Sequence, residues 1–407
     1  MVYFSIFFII FYNSLIYEVH PKRKYLILII SMIVFILAFN YQMGSDWLSY
    51  QRIYDIRITP YEFKDIIFNN PFHQEKGYIL LNLIGKKLRL NYESFMGLLL
   101  SFSIISILKI GVKKASNSYI FVFVIIVKYM LIASLEPTIR QFLAISIIVL
   151  SYKYIEEKKM IKYLLCILIA MQFHSSAIIG VIIYFLDKIN ITLKKVIILI
   201  IFFSLTLKIL PTIVEIISTF IPIIRRFNGY FTSLRYGISN SRSLLGNIYS
   251  LGIMTLYLYS IFFSEAKKQK NYIKNMAIIY IVISYFQNQL PILYRVQEYF
   301  VIGFAISMSF IGSTTIFNYK IIYNKKRIGV IFVFLLYLIM TRETVSNIYG
   351  SELNKKRYGE YKNYFIELLR GRTKENFQEK SHKYEKEIKS MVDEQNRNKN
   401  QLLREKN

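Results

Sequence analysis

Apolar runs of about 20 residues recur along the chain, and they constrain its fold more than any other feature. A helix of that length crosses the hydrocarbon core of a bilayer. Hydrophobic residues make up 54% of the 407 residues, which is more than a soluble domain of this size needs for its core. The sequence therefore predicts an all-α, polytopic membrane protein that crosses the lipid bilayer many times.

The formal net charge of +27 does not indicate a nucleic-acid-binding protein. Most lysines and arginines lie in short loops between apolar runs, which is the positive-inside pattern of membrane proteins. The single cysteine, Cys166, rules out an intrachain disulfide and a CxxC redox or metal motif. The four histidines lack metal-ligand spacing, and no glycine-rich phosphate loop is present. We therefore expect no metal, no cofactor and no binding of nucleic acid.

The distribution of charge also predicts the topology. Residues 1–345 are predicted to form a transmembrane domain of about eleven membrane elements, with external segments at 41–94 and 211–245. The apolar run 161–186 would reverse the side of every later loop if it were one span. We therefore predict a broken, re-entrant hairpin whose short halves meet near His174 and line a cavity or lie buried in protein.

The last part of the chain, residues 346–407, has dense charge of both signs and few apolar residues. Such a composition is typical of a tail that is helical in patches or disordered. The count of spans places this tail outside, whereas its basic character favours the inside.

Residues 134–176 contain an arginine near the start of one apolar helix and a histidine at the end of the next apolar run. Pro137 suits the first position of a helix, so Arg140 is predicted to lie in the first turn. Free backbone amides, the helix dipole and a guanidinium at one place suit a phosphate group. An ionisable side chain such as His174 in a membrane segment is a functional candidate. The alternatives are an Arg140 bound to a lipid phosphate and a His174 that is only a satisfied buried side chain.

Two further candidates lie next to predicted spans. Asp46 directly follows the second span, where its carboxylate is able to act as a general base or to position a sugar at the membrane surface. Alternatively, Asp46 caps a helix N-terminus, with Tyr50 packed behind it. Arg295 lies between two apolar runs and is either an interface anchor or a second phosphate ligand.

The predicted external segment 211–245 carries four arginines among aromatic residues: Arg225, Arg226, Arg235 and Arg242. An outer leaflet attracts cations less than a cytoplasmic leaflet does, so these arginines indicate a specific anionic ligand. Lipid headgroups are the alternative. The neighbouring aromatic rings are candidates for stacking on sugars, although membrane anchoring is their more common use.

Three motifs occur in a characteristic order along residues 1–345. They are Gly44-Ser45-Asp46-Trp47 with Tyr50, then Arg140-Gln141 followed by a Lys-rich turn and Phe173-His174-Ser175, and finally Tyr294-Arg295 to Tyr299-Phe300. In this order they resemble the EpsG family of Wzy-like bacterial polysaccharide polymerases.

The resemblance implies a glycosyltransferase that joins oligosaccharide repeat units carried on polyprenyl (undecaprenyl) diphosphate. The product is a capsule, exopolysaccharide or O-antigen chain, made at the outer face of the bacterial cytoplasmic membrane. The implied fold is a glycosyltransferase-C-like membrane fold without a Rossmann domain. The implied partners are the lipid-linked oligosaccharide, the growing glycan and the bilayer. The resemblance leaves open whether a chain-length regulator also binds.

Roles for the candidate residues follow from the resemblance and from the chemistry of the reaction. Arg140 and Arg295 are expected to bind the leaving diphosphate, and either Asp46 or His174 is expected to act as the base or to position the acceptor. The expected substrate-binding residues are Gln141, Tyr50, Arg225, Arg226, Arg235 and Arg242.

Three other functions are compatible with parts of the sequence. A glycan ligase that uses the same lipid-linked donor needs the same anion chemistry. A flippase for lipid-linked sugars would carry charges along an internal pathway and contain repeated spans, whereas here the charges cluster toward one face and we find no internal repeat. A scaffold for a polysaccharide-export complex is supported only by the charged tail.

Overall fold

The structure is a computed structural model that describes most of the chain. The described residues are 2–19, 25–44, 46–58, 60–69, 72, 74–136, 138–220, 244–287, 290, 293–313, 325–351, 354–373, 375, 377–384 and 386. Their secondary structure is helical, apart from one isolated antiparallel bridge between Asn40 and Asn363. The predicted all-α fold is therefore confirmed for this part of the chain.

Helices of very different lengths form the first half of the chain. They are α1 (Val2–Val19), α2 (Leu26–Ala38), α3 (Trp47–Arg52), α4 (Phe63–Phe68), α5 (Lys76–Lys87), α6 (Tyr92–Lys114), α7 (Ser118–Ile125), α8 (Leu131–Leu135), α9 (Ile139–Leu150), α10 (Tyr152–Glu156), α11 (Met160–Met171) and α12 (Gly180–Leu186). Wider π turns at Ile53–Arg57 and Ile126–Met130 extend α3 and join α7 to α8, and a 3₁₀ helix at Ser175–Ile179 precedes α12.

Fewer and longer helices make up the second half. They are α13 (Leu193–Phe220), α14 (Leu244–Phe262), α15 (Asn271–Phe286), α16 (Leu293–Gln297), α17 (Val301–Met308), α18 (Lys325–Tyr349) and α19 (Tyr364–Leu369). Short 3₁₀ helices lie at Glu265–Lys268 and Ile311–Ser313, a π turn lies at Lys355–Gly359, and residues 377–384 are helical.

Several of these helices have the length and composition of membrane spans. In the described part of the chain, four segments are long and apolar enough to cross a bilayer: Tyr92–Lys114, Ser118–Leu135, Leu245–Phe262 and Gly329–Tyr349. Other helices carry exposed apolar stripes, as α13 does with Ile197, Ile201 and Leu205 at a spacing of one turn. Such stripes suit contact with lipid rather than water, so the chain is a helical membrane protein.

Every residue of α17 is buried. This helix packs on α15 at Gly303, where an added Cβ would lie 2.4 Å from the Cβ of Met276 and 2.8 Å from the carbonyl oxygen of Ile273. The absence of a side chain at Gly303 lets the two backbones approach closely, as in many membrane helix pairs.

The run predicted to be a broken hairpin contains two short helical pieces. The first, α11, ends at Met171, and the second begins at Ser175. The rings of Tyr163 and Tyr184 lie 5.7 Å apart between centroids, and the Tyr163 hydroxyl donates a hydrogen bond to the carbonyl of Gly180 at 2.7 Å. Residues near the start of the first piece thus contact residues in the second, so the two pieces run antiparallel. Their position relative to a bilayer stays a prediction, which is tested below.

One predicted segment overlaps a helix, and one predicted span is interrupted. Residues 211–220 of the predicted external segment 211–245 belong to α13, and the location of this segment outside the membrane stays a prediction. The apolar run 296–314 predicts a single span, but the helix is interrupted at Glu298–Phe300, between α16 and α17. There Gln297 donates a hydrogen bond to Ser284, and this buried polar contact to a neighbouring helix helps to fix the turn.

After α18 the chain returns to the first two helices. The Tyr361 hydroxyl donates to the carbonyl of Ile36 at 2.9 Å, and the Asn363 amide donates to the carbonyl of Phe35 at 3.1 Å. Farther along, the Lys380 ammonium lies 3.1 Å from the Glu93 carboxylate, and the Tyr384 hydroxyl donates to the carbonyl of Gly44 at 3.3 Å. The tail up to Tyr384 therefore packs beside the segment that carries Asp46.

These contacts predict how truncations affect stability. A chain ending at Thr373 loses Lys380, which leaves the Glu93 carboxylate, only 13% exposed, without its ion-pair partner. Loss of one partner of a largely buried pair costs about 3 kcal/mol. We therefore expect the detergent-purified protein to unfold several degrees below the full-length chain. A chain ending at Lys386 retains these contacts and is expected to unfold like the full-length protein. Equal unfolding temperatures for the two truncations would contradict the prediction.

Candidate functional site

Of the predicted candidates, Arg140 and His174 contact Glu75, Tyr50 contacts Arg140, and Asp46 lines a cavity with Arg140. Each lies at or near the beginning of a helix. Asp46 precedes α3, Arg140 lies in the first turn of α9, and His174 precedes the 3₁₀ helix. Glu75 precedes α5, a helix of 12 residues. Unpaired amides at helix N-termini favour negatively charged groups, so this is a suitable place for a carboxylate or an anionic ligand.

Arg140 is held by two partners. Its Nη1 lies 2.5 Å from Oε2 of Glu75, and its Nε donates a hydrogen bond to the Tyr50 hydroxyl at 3.3 Å. The guanidinium carbon also lies 5.9 Å from the centre of the Tyr50 ring, within the range of a cation–π contact. Because two nitrogens of the planar guanidinium are engaged separately, its orientation is fixed.

Glu75 connects Arg140 to the histidine. Its second oxygen, Oε1, accepts a hydrogen bond from the Ser175 backbone N–H at 3.1 Å and lies 3.2 Å from Nδ1 of His174. Burial alone would raise the pKa of the Glu75 carboxyl. The hydrogen bond to His174, the charge of Arg140 and the backbone N–H groups outweigh this effect and lower the pKa to about 2. Glu75 is therefore a carboxylate at neutral pH.

A close approach of two backbones aligns Glu75 with the histidine. The Gly77 N–H donates to the carbonyl of Gln172 at 2.9 Å. A Cβ at residue 77 would lie 2.7 Å from that carbonyl oxygen, a separation too short for a side chain at this position. Glycine therefore lets the start of α5 contact the turn before His174.

A cavity of about 420 Å³ opens beside Arg140. Its lining contains three arginines and one acid, together with polar and aromatic groups: Arg52, Arg57, Arg140, Asp46, Ser49, Tyr50, Ile53 and Gln74. The volume lies in the usual range for small-molecule sites. With three guanidinium groups against one carboxylate, the cavity suits an anionic ligand such as a diphosphate.

Asp46 lies in the N-cap position of α3, but its side chain makes no capping hydrogen bond. Its backbone carbonyl instead accepts hydrogen bonds from the Tyr50 N–H at 3.2 Å and from the Ser49 hydroxyl at 2.9 Å. The carboxylate belongs to the cavity lining. The structure therefore does not support the alternative in which Asp46 only caps a helix.

The other predicted residues lie outside this cavity. The buried Gln141 amide donates to the backbone carbonyl of Arg295 at 2.8 Å, so Gln141 joins α9 to α16. The Arg295 side chain is exposed and is not part of the lining. His174 contacts Glu75 and is not in the lining either. The four arginines predicted in the external segment, Arg225, Arg226, Arg235 and Arg242, lie outside the described residues.

Four site residues were not predicted from the sequence: Glu75, Arg52, Arg57 and Gln74. Arg52 and Arg57 follow Asp46 in the same predicted external segment, so the positive charge beside Asp46 was visible in the sequence. Glu75 gave no such signal, because its partners come from distant parts of the chain. Among the described residues, no group of three or more His, Cys, Asp or Glu side chains is arranged to hold a metal ion.

Comparison with known proteins adds one finding. The model of the EpsG family matches residues 23–355, a range that includes every residue of this site. Neither a curated protein nor a solved structure matches the chain.

Proposed function

Because the chain belongs to the EpsG family of Wzy-like polysaccharide polymerases, we propose that it joins lipid-linked oligosaccharide repeat units into a surface polysaccharide. The proposal includes a polyprenyl diphosphate donor, a glycosyltransferase-C-like arrangement of helices and an active site at the outer face of the cytoplasmic membrane. One observation carries it: Arg140, oriented by Glu75 and Tyr50, shares a cavity with two more arginines and Asp46.

The reaction requires a group that stabilises the leaving diphosphate. An acceptor hydroxyl oxygen forms a bond to the anomeric carbon, and the bond from that carbon to the diphosphate oxygen breaks with its electron pair on oxygen. Arg140, Arg52 and Arg57 would neutralise this charge without a metal ion. Because Arg140 is already oriented before the substrate binds, little reorganisation is needed as the charge develops.

The acceptor hydroxyl also loses a proton. Asp46 lines the same cavity as the arginines, and we assign the proton to its carboxylate. His174 contacts Glu75 rather than the cavity, so we assign it a positioning role through Glu75. Arg295 stays a predicted ligand of the leaving diphosphate, and the arginines at 225, 226, 235 and 242 stay predicted substrate-binding residues.

The membrane topology is part of the same proposal. With 12 residues, α11 is about 18 Å long, which is too short to cross a core of about 30 Å. A re-entrant hairpin with its turn at His174 would bring the histidine to Glu75 from inside the protein. The packing of the tail beside Gly44 supports a tail on the same side as Asp46.

Labelling of single cysteines tests this topology. In a chain with Cys166→Ser, cysteines at the exposed positions Lys158 and Lys194 are expected to be protected in intact cells from an impermeant thiol reagent, because both would be cytoplasmic. A cysteine at exposed Lys64, in the external segment, is the matched control and is expected to react. Reaction at position 194 without reaction at position 158 would show that the hairpin crosses the membrane.

Reconstitution tests the activity itself. Purified protein in lipid vesicles, supplied with lipid-linked repeat units alone, is expected to produce glycans that differ in length by whole repeat units. A ligase would give no chain growth until a different acceptor is added. A flippase would move the lipid-linked sugar across the vesicle membrane without forming new bonds, and either result would contradict the polymerase assignment.

A further inference from the structure

A second cavity, of about 530 Å³, lies next to the segment formed by α16, the turn that follows it and the start of α17. Tyr294, Gln297, Glu298 and Val301 contribute to its lining at a helical spacing of three or four residues. Residues at other positions of the same segment contact α9, which carries Arg140, and the 3₁₀ helix that follows His174. The backbone of Arg295 contacts Gln141, and the Tyr299 hydroxyl lies 2.8 Å from that of Ser176. One short segment therefore lies between the two regions.

Glu298 is the unusual group of this cavity. Glu298 is only 3% exposed. Among the described residues, neither of its carboxylate oxygens has a hydrogen-bond partner of normal geometry, although the Tyr294 hydroxyl lies nearby. The hydroxyl of Tyr257, also in the lining, is buried and without a partner as well. Buried polar atoms in native proteins nearly always have partners, so these atoms favour a polar ligand in this cavity.

The charges of this cavity balance, in contrast to those of the first. Lys128 forms an ion pair with Glu343, and Arg342 lies over the Tyr249 ring at 4.5 Å. Two cations and two acids, counting Glu298, therefore line the cavity. Such a lining gives no net attraction for a diphosphate, so it favours an uncharged polar ligand.

The rest of the lining has the chemistry that binds sugars. Five tyrosines contribute rings and hydroxyls: Tyr249, Tyr257, Tyr280, Tyr285 and Tyr294. Serine, asparagine and glutamine side chains add donors and acceptors among them. Aromatic faces pack on the C–H surfaces of a sugar ring, and a carboxylate accepts hydrogen bonds from its hydroxyl groups.

We propose that this cavity is a carbohydrate-binding site for an uncharged oligosaccharide, with the Glu298 carboxylate accepting hydrogen bonds from sugar hydroxyls and the Tyr257 hydroxyl bonding beside it. The inference rests on the proposed function for the identity of the sugar, which is the repeat unit of the growing glycan. In this proposal the second cavity binds the sugar part of the lipid-linked substrate, and the first cavity binds its diphosphate.

The test uses a probe that lacks both groups bound by the first cavity. Oligosaccharide repeat units are released by mild acid from the lipid-linked precursor of the producing cells, and their binding to full-length protein in detergent is measured by titration calorimetry. Glu298→Gln keeps the shape of the side chain and removes its charge, and we expect it to weaken binding at least tenfold. Tyr257→Phe removes one hydroxyl and is expected to weaken binding severalfold. Glu360→Gln, at an exposed residue outside the lining of both cavities, is the matched control and is expected to leave the affinity unchanged.

Stability measurements separate this role from a structural one. Because Glu298 has no hydrogen bond of normal geometry to lose, Glu298→Gln is expected to unfold at the wild-type temperature or above it. Absence of binding to the wild-type protein, or wild-type affinity in both Glu298→Gln and Tyr257→Phe, would overturn the proposal. The two proposals fail separately: oligosaccharide binding without chain growth would leave this site standing and contradict the polymerase assignment.

Discussion

Replacement of Arg140 by lysine is expected to lower the rate of polymer formation about a hundredfold while the amount of protein in the membrane stays normal. Arg140 uses Nη1 for Glu75 and Nε for Tyr50. A lysine ammonium is a single point of charge, so it cannot keep both contacts and still present a planar fork to a diphosphate. Arg140→Ala is expected to be at least as damaging. The initial rate of chain growth in vesicles supplied with lipid-linked repeat units measures both effects.

Arg89→Lys is the matched control for this substitution. Arg89 is exposed and lies outside the lining of the cavity, so its replacement is expected to leave the rate near the wild-type value. If Arg140 only anchors the chain to a lipid phosphate, lysine would serve equally well, because it also extends to headgroups. Wild-type rates for Arg140→Lys would therefore remove Arg140 from the active site and leave Arg52 and Arg57 as the candidates in the cavity.

The site residues that lie beside apolar runs are predictable from the sequence. Arg140 and Asp46 are charged residues at the ends of hydrophobic segments, and such a pattern is visible within a few residues of chain. The structure adds that both line one cavity. That proximity was not predictable, since it depends on how α3 packs beside α9. Glu75 shows the same limit more strongly, because its contacts with Arg140 and His174 join positions 65 and 99 residues apart.

Helices were easier to predict than interruptions of helices. The amphipathic pattern from Gly77 to Leu90 predicts a helix along the membrane interface, and α5 occupies Lys76–Lys87. The break at Glu298 was not expected, because the run from 296 to 314 is apolar overall. It becomes understandable only when partners from other helices are known, such as the hydrogen bond from Gln297 to Ser284.

The two cavities differ in a way that suits two parts of one substrate. Three arginines and one acid line the first, and equal numbers of cations and acids line the second. A lipid-linked glycan has an anionic diphosphate joined to an uncharged or weakly charged sugar chain. The division of charge between the cavities therefore supports a diphosphate in the first and sugar in the second.

Replacement of Glu75 by glutamine is expected to lower the rate of polymer formation by at least about tenfold. Glutamine has nearly the same shape and still offers an oxygen to the Ser175 N–H, but it leaves the half-buried Arg140 guanidinium without its counter-ion. The orientation of Arg140 is then maintained by Tyr50 alone. Glu360→Gln is the control, because Glu360 is an exposed residue of the tail outside the cavity lining. The same vesicle assay measures the rates.

The pH dependence of stability tests the Glu75 contacts independently of activity. In the folded protein the pKa of this carboxyl is lowered from 4.5 to about 2, so the folded state favours the charged form. The resulting stabilisation, on the order of 3 kcal/mol, is fully present above pH 4.5 and is lost as the pH falls toward 2.

Glu75→Gln lacks this carboxylate. The difference in unfolding temperature between wild type and Glu75→Gln is therefore expected to be constant from pH 7 to pH 5 and to shrink at pH 4 and below. A difference that stays the same down to pH 3 would mean that the charge of Glu75 does not hold Arg140 and His174 together.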